Sequence, residues 1–137
     1  MASPGNTTVT IDGNQFNAIS THVGFSTIHD EMGMPLMGSQ SCSISVTVDI
    51  HDNVNMPFST LSALFGLSNQ LTRDKVRDMK IEYWTDESRQ DAICVYQFSG
   101  WISSFYTISG AGSNHLLSLT LQPALTNKQY VDVKMSN

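Results

Sequence analysis

From Ser41 to Ile50 the chain alternates small polar and apolar residues without a break, in the run Ser-Cys-Ser-Ile-Ser-Val-Thr-Val-Asp-Ile. A period of two is the mark of a strand with one face buried. The apolar face is Cys42, Ile44, Val46, Val48 and Ile50, and the other is Ser41, Ser43, Ser45, Thr47 and Asp49. Strands that face plain solvent usually carry Lys, Arg or Glu, whereas this outer face is nearly uncharged. Such a face suits contact with sister subunits or a passing cargo without strong attraction. The chain is therefore expected to be an assembly protein rather than an enzyme.

Composition agrees. Charged residues make up 14% of the 137, against roughly 25% in ordinary soluble domains. In their place stand 18 Ser, 12 Thr, 9 Asn and 7 Gln. A surface of this kind gives up much of the repulsion that keeps proteins apart, which predicts that part of it is covered by other copies. The length is that of one domain, residues 1–137, able to bury its own core. Charge is also unevenly placed: residues 1–72 hold five acidic residues and no Lys or Arg, and all seven basic residues lie from Arg73 onward. That argues against a nucleic-acid groove, and an acidic end against a mixed-charge end suits head-to-tail stacking.

The order of elements follows from punctuation and periodicity. Thr8 to Ile11 and Gln15 to Ile19 flank Asp12-Gly13 as a hairpin, and a third strand runs over Thr21 to His29. Met32-Gly33-Met34-Pro35-Leu36-Met37 is a loop by its Gly and Pro, yet it is rich in Met, whose flexible thioether adapts to a partner. A helix is expected over 55–68, capped by Asn55, with Pro57 in its first turn and Phe58, Leu61, Leu64 and Phe65 at helical spacing. Strands follow over Met79 to Thr85, Ala92 to Ile108 (bent or bulged at Gly100 or Ser103-Ser104), His115 to Gln122 and Gln129 to Met135. Pro123 should interrupt pairing. The fold class is mainly β: a single-domain β-barrel or sandwich of two antiparallel sheets with one α-helix and an extended loop.

No residues assemble into catalytic machinery. There is no nucleophile elbow, and Gly110-Ala111-Gly112 precedes a strand rather than the helix a phosphate loop needs. His22, His29, His51 and His115 lack zinc spacing, and Cys42 and Cys94 stand alone in strand patterns. No metal, cofactor or enzymatic activity is expected. The N-terminus has neither a basic nor an apolar leader region, so cytoplasmic synthesis without a signal peptide is expected, and no apolar run approaches a membrane span.

The hairpin, the extended loop ending in Gly, the polar-alternating strand, the helix, Lys80-Ile81-Glu82-Tyr83-Trp84, the long aromatic strand, the Gly/Ser loop and the Leu/Thr-alternating strand come in a recognisable order. From about Thr8 to Val133 the chain resembles Hcp, the haemolysin-coregulated tube proteins of bacterial type VI secretion systems. The 32–37 loop is short and hydrophobic where many members carry a long Gly-rich or basic one. The resemblance implies a ring-forming protomer: six copies close a ring, and rings stack into a tube within a contractile sheath, with spike and baseplate proteins as partners. The tube is injected or secreted without a signal peptide and delivers effectors. Met32, Met34, Pro35, Leu36 and Met37 would then be the stacking loop, and Ser43, Ser45 and Thr47 the lumen-facing strand. A tube protein of a phage tail or an extracellular contractile injection system is the near alternative. A monomeric ligand-binding β-barrel is the alternative from another class, and an enzyme is third.

Overall fold

The computed structural model describes residues 6–36, 41–51, 54–69, 73–86, 88–110, 115–125 and 132–137. Its elements in chain order are β1 (Thr7–Ile11), β2 (Asn14–Ala18), β3 (Ser20–Ser26), β4 (Ser41–Asp49), α1 (Phe58–Ser68), β5 (Arg77–Trp84), β6 (Ala92–Ile108), β7 (Leu116–Pro123) and β8 (Val133–Ser136). A short 3-10 turn, Arg73–Lys75, precedes β5.

All eight strands belong to one antiparallel sheet, ordered β2-β1-β5-β6-β7-β4-β3, with β8 also on β6. The long strand β6 makes this a single sheet. Its first half pairs with β5 and β8, and from Gly100 onward it pairs with β7. One layer is therefore β2-β1-β5, the first half of β6 and then β8, and the other is the second half of β6 with β7-β4-β3. The two sheets expected from the sequence are two halves of one, because β6 is long enough to serve both. The sheet does not close into a ladder-paired barrel: β2 and β3, the ends of the strand order, are joined through Ile19, whose N–H donates to Thr47 C=O (2.8 Å).

Local chemistry accounts for the joints. Asp12 (φ 51°) and Gly13 (φ 79°) both adopt left-handed backbone between the paired residues Ile11 and Asn14, the two-residue turn that matches strand twist. Gly100 sits where β6 changes partners. A Cβ there would lie 2.7 Å from Gln122 C=O and 2.9 Å from the Phe98 ring, so only glycine lets β7 approach. The bulge itself falls between Ile102 and Ser104, and Ser103 Oγ–H donates to Thr120 C=O (3.1 Å). Pro123 does not break off β7 early. It is the last, buried residue of the strand, opposite Gly100, and Ala124 N–H makes the next bond to Ser99 C=O (2.7 Å).

The core lies between the layers. Ile44, Val46 and Val48 of β4 face it with Leu117, Leu119 and Leu121 of β7, and Val9, Ile11, Phe16 and Ile81 come from the other layer. The alternation read from the sequence of β4 and β7 is thus the actual division into inside and outside. The helix departs from expectation. It begins at Phe58 with Pro57 as an N-cap that makes no side-chain bond, while Asn55 is spent elsewhere, accepting from Asn17 Nδ2 (2.8 Å) and Asn17 N–H (3.1 Å). Its buried line is Thr60 and Leu64, with Leu61 and Leu67 packed beside it. Phe58 is 76% exposed and Phe65 53%; Phe65 meets Phe105 edge-on at 5.7 Å.

Candidate functional site

The outer side of the β3-β4-β7-β6 layer is the surface that the polar alternation singled out. Cross-strand register lays its residues in rows. Ser20, Thr47, Ser118 and Tyr106 form one, and His22, Ser45, Thr120 and Ser104 form the next. Gly24 lies opposite Ser43, and Ser26 opposite Ser41 with their hydroxyls 2.7 Å apart. Ser43 and Ser45 are exposed and Thr47 half-buried, all three pointing away from the core. The next residue on this side, Asp49, is only 4% exposed, and its Oδ1 accepts His51 N–H (2.9 Å). Among the described residues, no exposed Asp, Glu, Lys or Arg lies on this face. The sequence showed one neutral strand; the structure aligns neutral residues of four strands into a continuous surface.

The other layer carries the charge. Asp78, Lys80 and Glu82 of β5 share its outer side with Gln97, Ser99 and Lys134, and Lys80 Nζ lies 3.5 Å from Glu82 Oε1. A groove of about 570 Å³ runs over this side, lined by Asp78, Lys80, Asp132 and Lys134 among others. This division does not follow chain position, because β7 and the second half of β6 come from the same part of the sequence as β5 and β8, after Arg73, yet carry no exposed charge on the neutral face.

At one end of the neutral face β3 runs on into a small hairpin. Leu36 N–H donates to Ile28 C=O (2.9 Å) and Asp30 N–H to Met34 C=O (2.8 Å), while Asp30 Oδ1 accepts from the N–H groups of Met32 and Met34, both at 2.9 Å. The turn holds its own tip through that one carboxylate. Met32 is 89% exposed and Met34 62%, and Leu36 and Pro35 are also exposed. Met37, the last residue expected in this loop, lies outside the described residues. At the opposite end His51 and His115 stack, with ring centroids 5.6 Å apart and planes 13° from parallel. This pair was missed from the sequence, where the two histidines are far apart and only the β4–β7 register joins them.

The cysteines sit on the inner side. Burial raises the Cys42 thiol above its ordinary range, and Cys94 is half-buried and unbonded to sulfur. Burial, followed by the neighbouring Cys94, likewise raises the Tyr96 phenol. Among the described residues, no three His, Cys, Asp or Glu side chains gather as a metal centre, and no helix is long and apolar enough to cross a membrane.

No family model matches the chain, and no curated protein matches it in sequence. Solved structures do match in fold. An Hcp protein crystal structure is similar at TM-score 0.65 and 13% identity, over 99% of both chains. Hcp1 from Flavobacterium johnsoniae is similar at 0.64 and 11%, over 85% of this chain and 89% of that one. The tail of an empty gene transfer agent particle, with C6 symmetry, is similar at 0.57 and 14%, over 99% of this chain and all of that one. The chain therefore has the Hcp-like fold, shared with Hcp proteins and with the tail of a phage-like particle.

Proposed function

We propose that this chain is the structural tube protein of a contractile injection machine of the type VI secretion class, with no enzymatic role. Six copies close into a ring whose lumen is lined by the neutral β3-β4-β7-β6 face, and rings stack into a tube. The observation that carries this reading is the uncharged four-strand face, bounded on each side by an edge that no described strand pairs. One edge is that of β3 away from β4, and the other is that of β6 away from β7 beyond Gly100. Unpaired edges are templates for another chain. Four strands is an even number, so a β3 edge meeting the β6 edge of the next copy around a rotation axis is antiparallel at every junction. Head-to-tail contact of that kind gives a ring where the rotation closes. The sixfold symmetry of the similar tail supports six copies.

On this reading the hairpin with Met32, Met34, Pro35 and Leu36, together with Met37, makes the contact between rings. The charged layer faces outward to the contractile sheath. Spike and baseplate proteins meet the tube's ends, and effectors travel in its lumen. The protein is cytoplasmic during assembly and leaves by injection.

The similarity to the gene transfer agent tail favours a second reading within the same class, the tube of a phage-like tail or extracellular injection particle. The ligand-binding barrel is less favoured, because the space between the layers is filled by buried Leu, Ile, Val and Phe. Electron microscopy of the purified protein, paired with its mass in solution, tests the proposal. Six-membered rings or stacked tubes are the expected result, and a monomer at every concentration would overturn it.

A further inference from the structure

The stacked histidines at the end of the neutral layer are used neither by the core nor by the proposed lumen. We propose that His51 and His115 form a two-imidazole chelate for a late first-row divalent metal ion such as nickel or zinc. The backbone of both residues is pinned. His51 N–H is held by Asp49 Oδ1 (2.9 Å), and His115 C=O accepts from Ile50 N–H (3.1 Å), which continues the β4–β7 ladder by one bond. Both side chains are exposed, so their ring nitrogens are accessible to an ion from solvent.

The separation of the two rings, though not their orientation, is close to what one ion requires. Two imidazole nitrogens at about 2.0–2.1 Å from a shared metal, at a tetrahedral angle, place their ring centroids roughly 5 Å apart. The observed separation is 5.6 Å. The stacked rings must turn for their lone pairs to converge, and χ2 of histidine is a broad torsion that permits this. Two protein ligands leave the remaining positions to water, so the site is exchangeable rather than a closed structural one. Affinity should follow ligand chemistry, with nickel above zinc.

The test is calorimetric titration of Ni²⁺ and Zn²⁺ into the untagged 137-residue chain at pH 7.5, with circular dichroism as the check on folding. Linking two ligands raises avidity by about 10²–10⁴, so His51→Asn or His115→Asn alone should weaken binding about a hundredfold or more. His22→Asn and His29→Asn, on the neutral face and beside the Met hairpin, should leave it unchanged. Absence of saturable binding overturns the proposal. So does an equal, small loss in all four variants, which would mean independent single histidines. If His51→Asn fails to fold, His115→Asn decides alone.

Discussion

The indole Nε1–H of Trp84 donates to Thr8 Oγ1 at 3.0 Å, joining the end of β5 to β1. Thr8 is wholly buried although it lies on the side of β1 away from the core. Its hydroxyl donates onward to Asn17 Oδ1 (3.0 Å), and Asn17 Nδ2–H donates to Asn55 Oδ1 (2.8 Å). A chain of side-chain bonds thus runs over the outer side of β5, β1 and β2 to the turn before α1. Thr8→Val keeps the shape and removes the middle link. Leaving these partly buried groups unpaired costs about 1 kcal/mol, the low end of the range for buried donors and acceptors, so urea unfolding should show a loss of about that size.

At Gly100 the backbones of β6 and β7 approach closely. The atom that a Cβ would strike is a backbone oxygen of β7, which no rotamer change can move aside. Overpacking of this kind costs about 1–3 kcal/mol. Gly100→Ala should lower the urea midpoint accordingly, whereas Gly66→Ala, where an added Cβ meets nothing within 4 Å, should not be destabilising.

Charge on the neutral face separates folding from assembly. Ser45 is exposed in the middle of its row, so Ser45→Lys should change monomer stability by no more than about 0.5 kcal/mol. In a tube it repeats a positive charge at every copy, and passage of cargo or tube assembly should fail. Normal tubes and unchanged secretion in this variant, and in Ser43→Lys, would count against a lumen-facing β4.

The Met hairpin makes the complementary case. Met32 and Met34 side chains are mostly exposed in the single chain, so Met32→Asp with Met34→Asp should leave the melting temperature nearly unchanged. Isolated rings without stacks, seen by electron microscopy, are the expected outcome. Stacks of normal length would remove the hairpin from the ring-to-ring contact.

Burial raises the Cys42 thiol, and the reactive form of cysteine is the thiolate. Labelling of Cys42 by a maleimide in the folded protein at pH 7.5 should therefore be far slower than in urea. The folded state holds this proton to higher pH than the unfolded state does. The contribution of Cys42 to stability should accordingly fall as pH rises through the ordinary thiol range, and Cys42→Ala should flatten that part of the curve.

Much of this was legible in order along the chain. Alternation in β4 and β7 assigned Ile44, Val46, Leu117 and Leu119 to the interior, because a strand's side chains must alternate whatever its neighbours are. Asp12-Gly13 marked a turn for a reason equally local, since few residue pairs accept two left-handed backbones in succession. The helix was harder. Phe58, Leu61, Leu64 and Phe65 carry a helical period, but which arc of a helix is buried depends on the surface it meets, and here Thr60 and Leu64 line it while Phe58 stands free. Asn55 was read as a cap for the same reason: its competing partner, Asn17, is distant in sequence and adjacent only in the fold.

The sequence by itself determined most of the strands, their inner faces and the split between an acidic portion free of Lys and Arg and a mixed-charge remainder, since these depend on spacing and composition. Tertiary structure alone decided that β6 serves both layers and that neutral residues of four strands make one face. It alone also brought His51 beside His115. Register between strands is a long-range choice, made by the summed packing of the whole core, and no local pattern in this chain contains it.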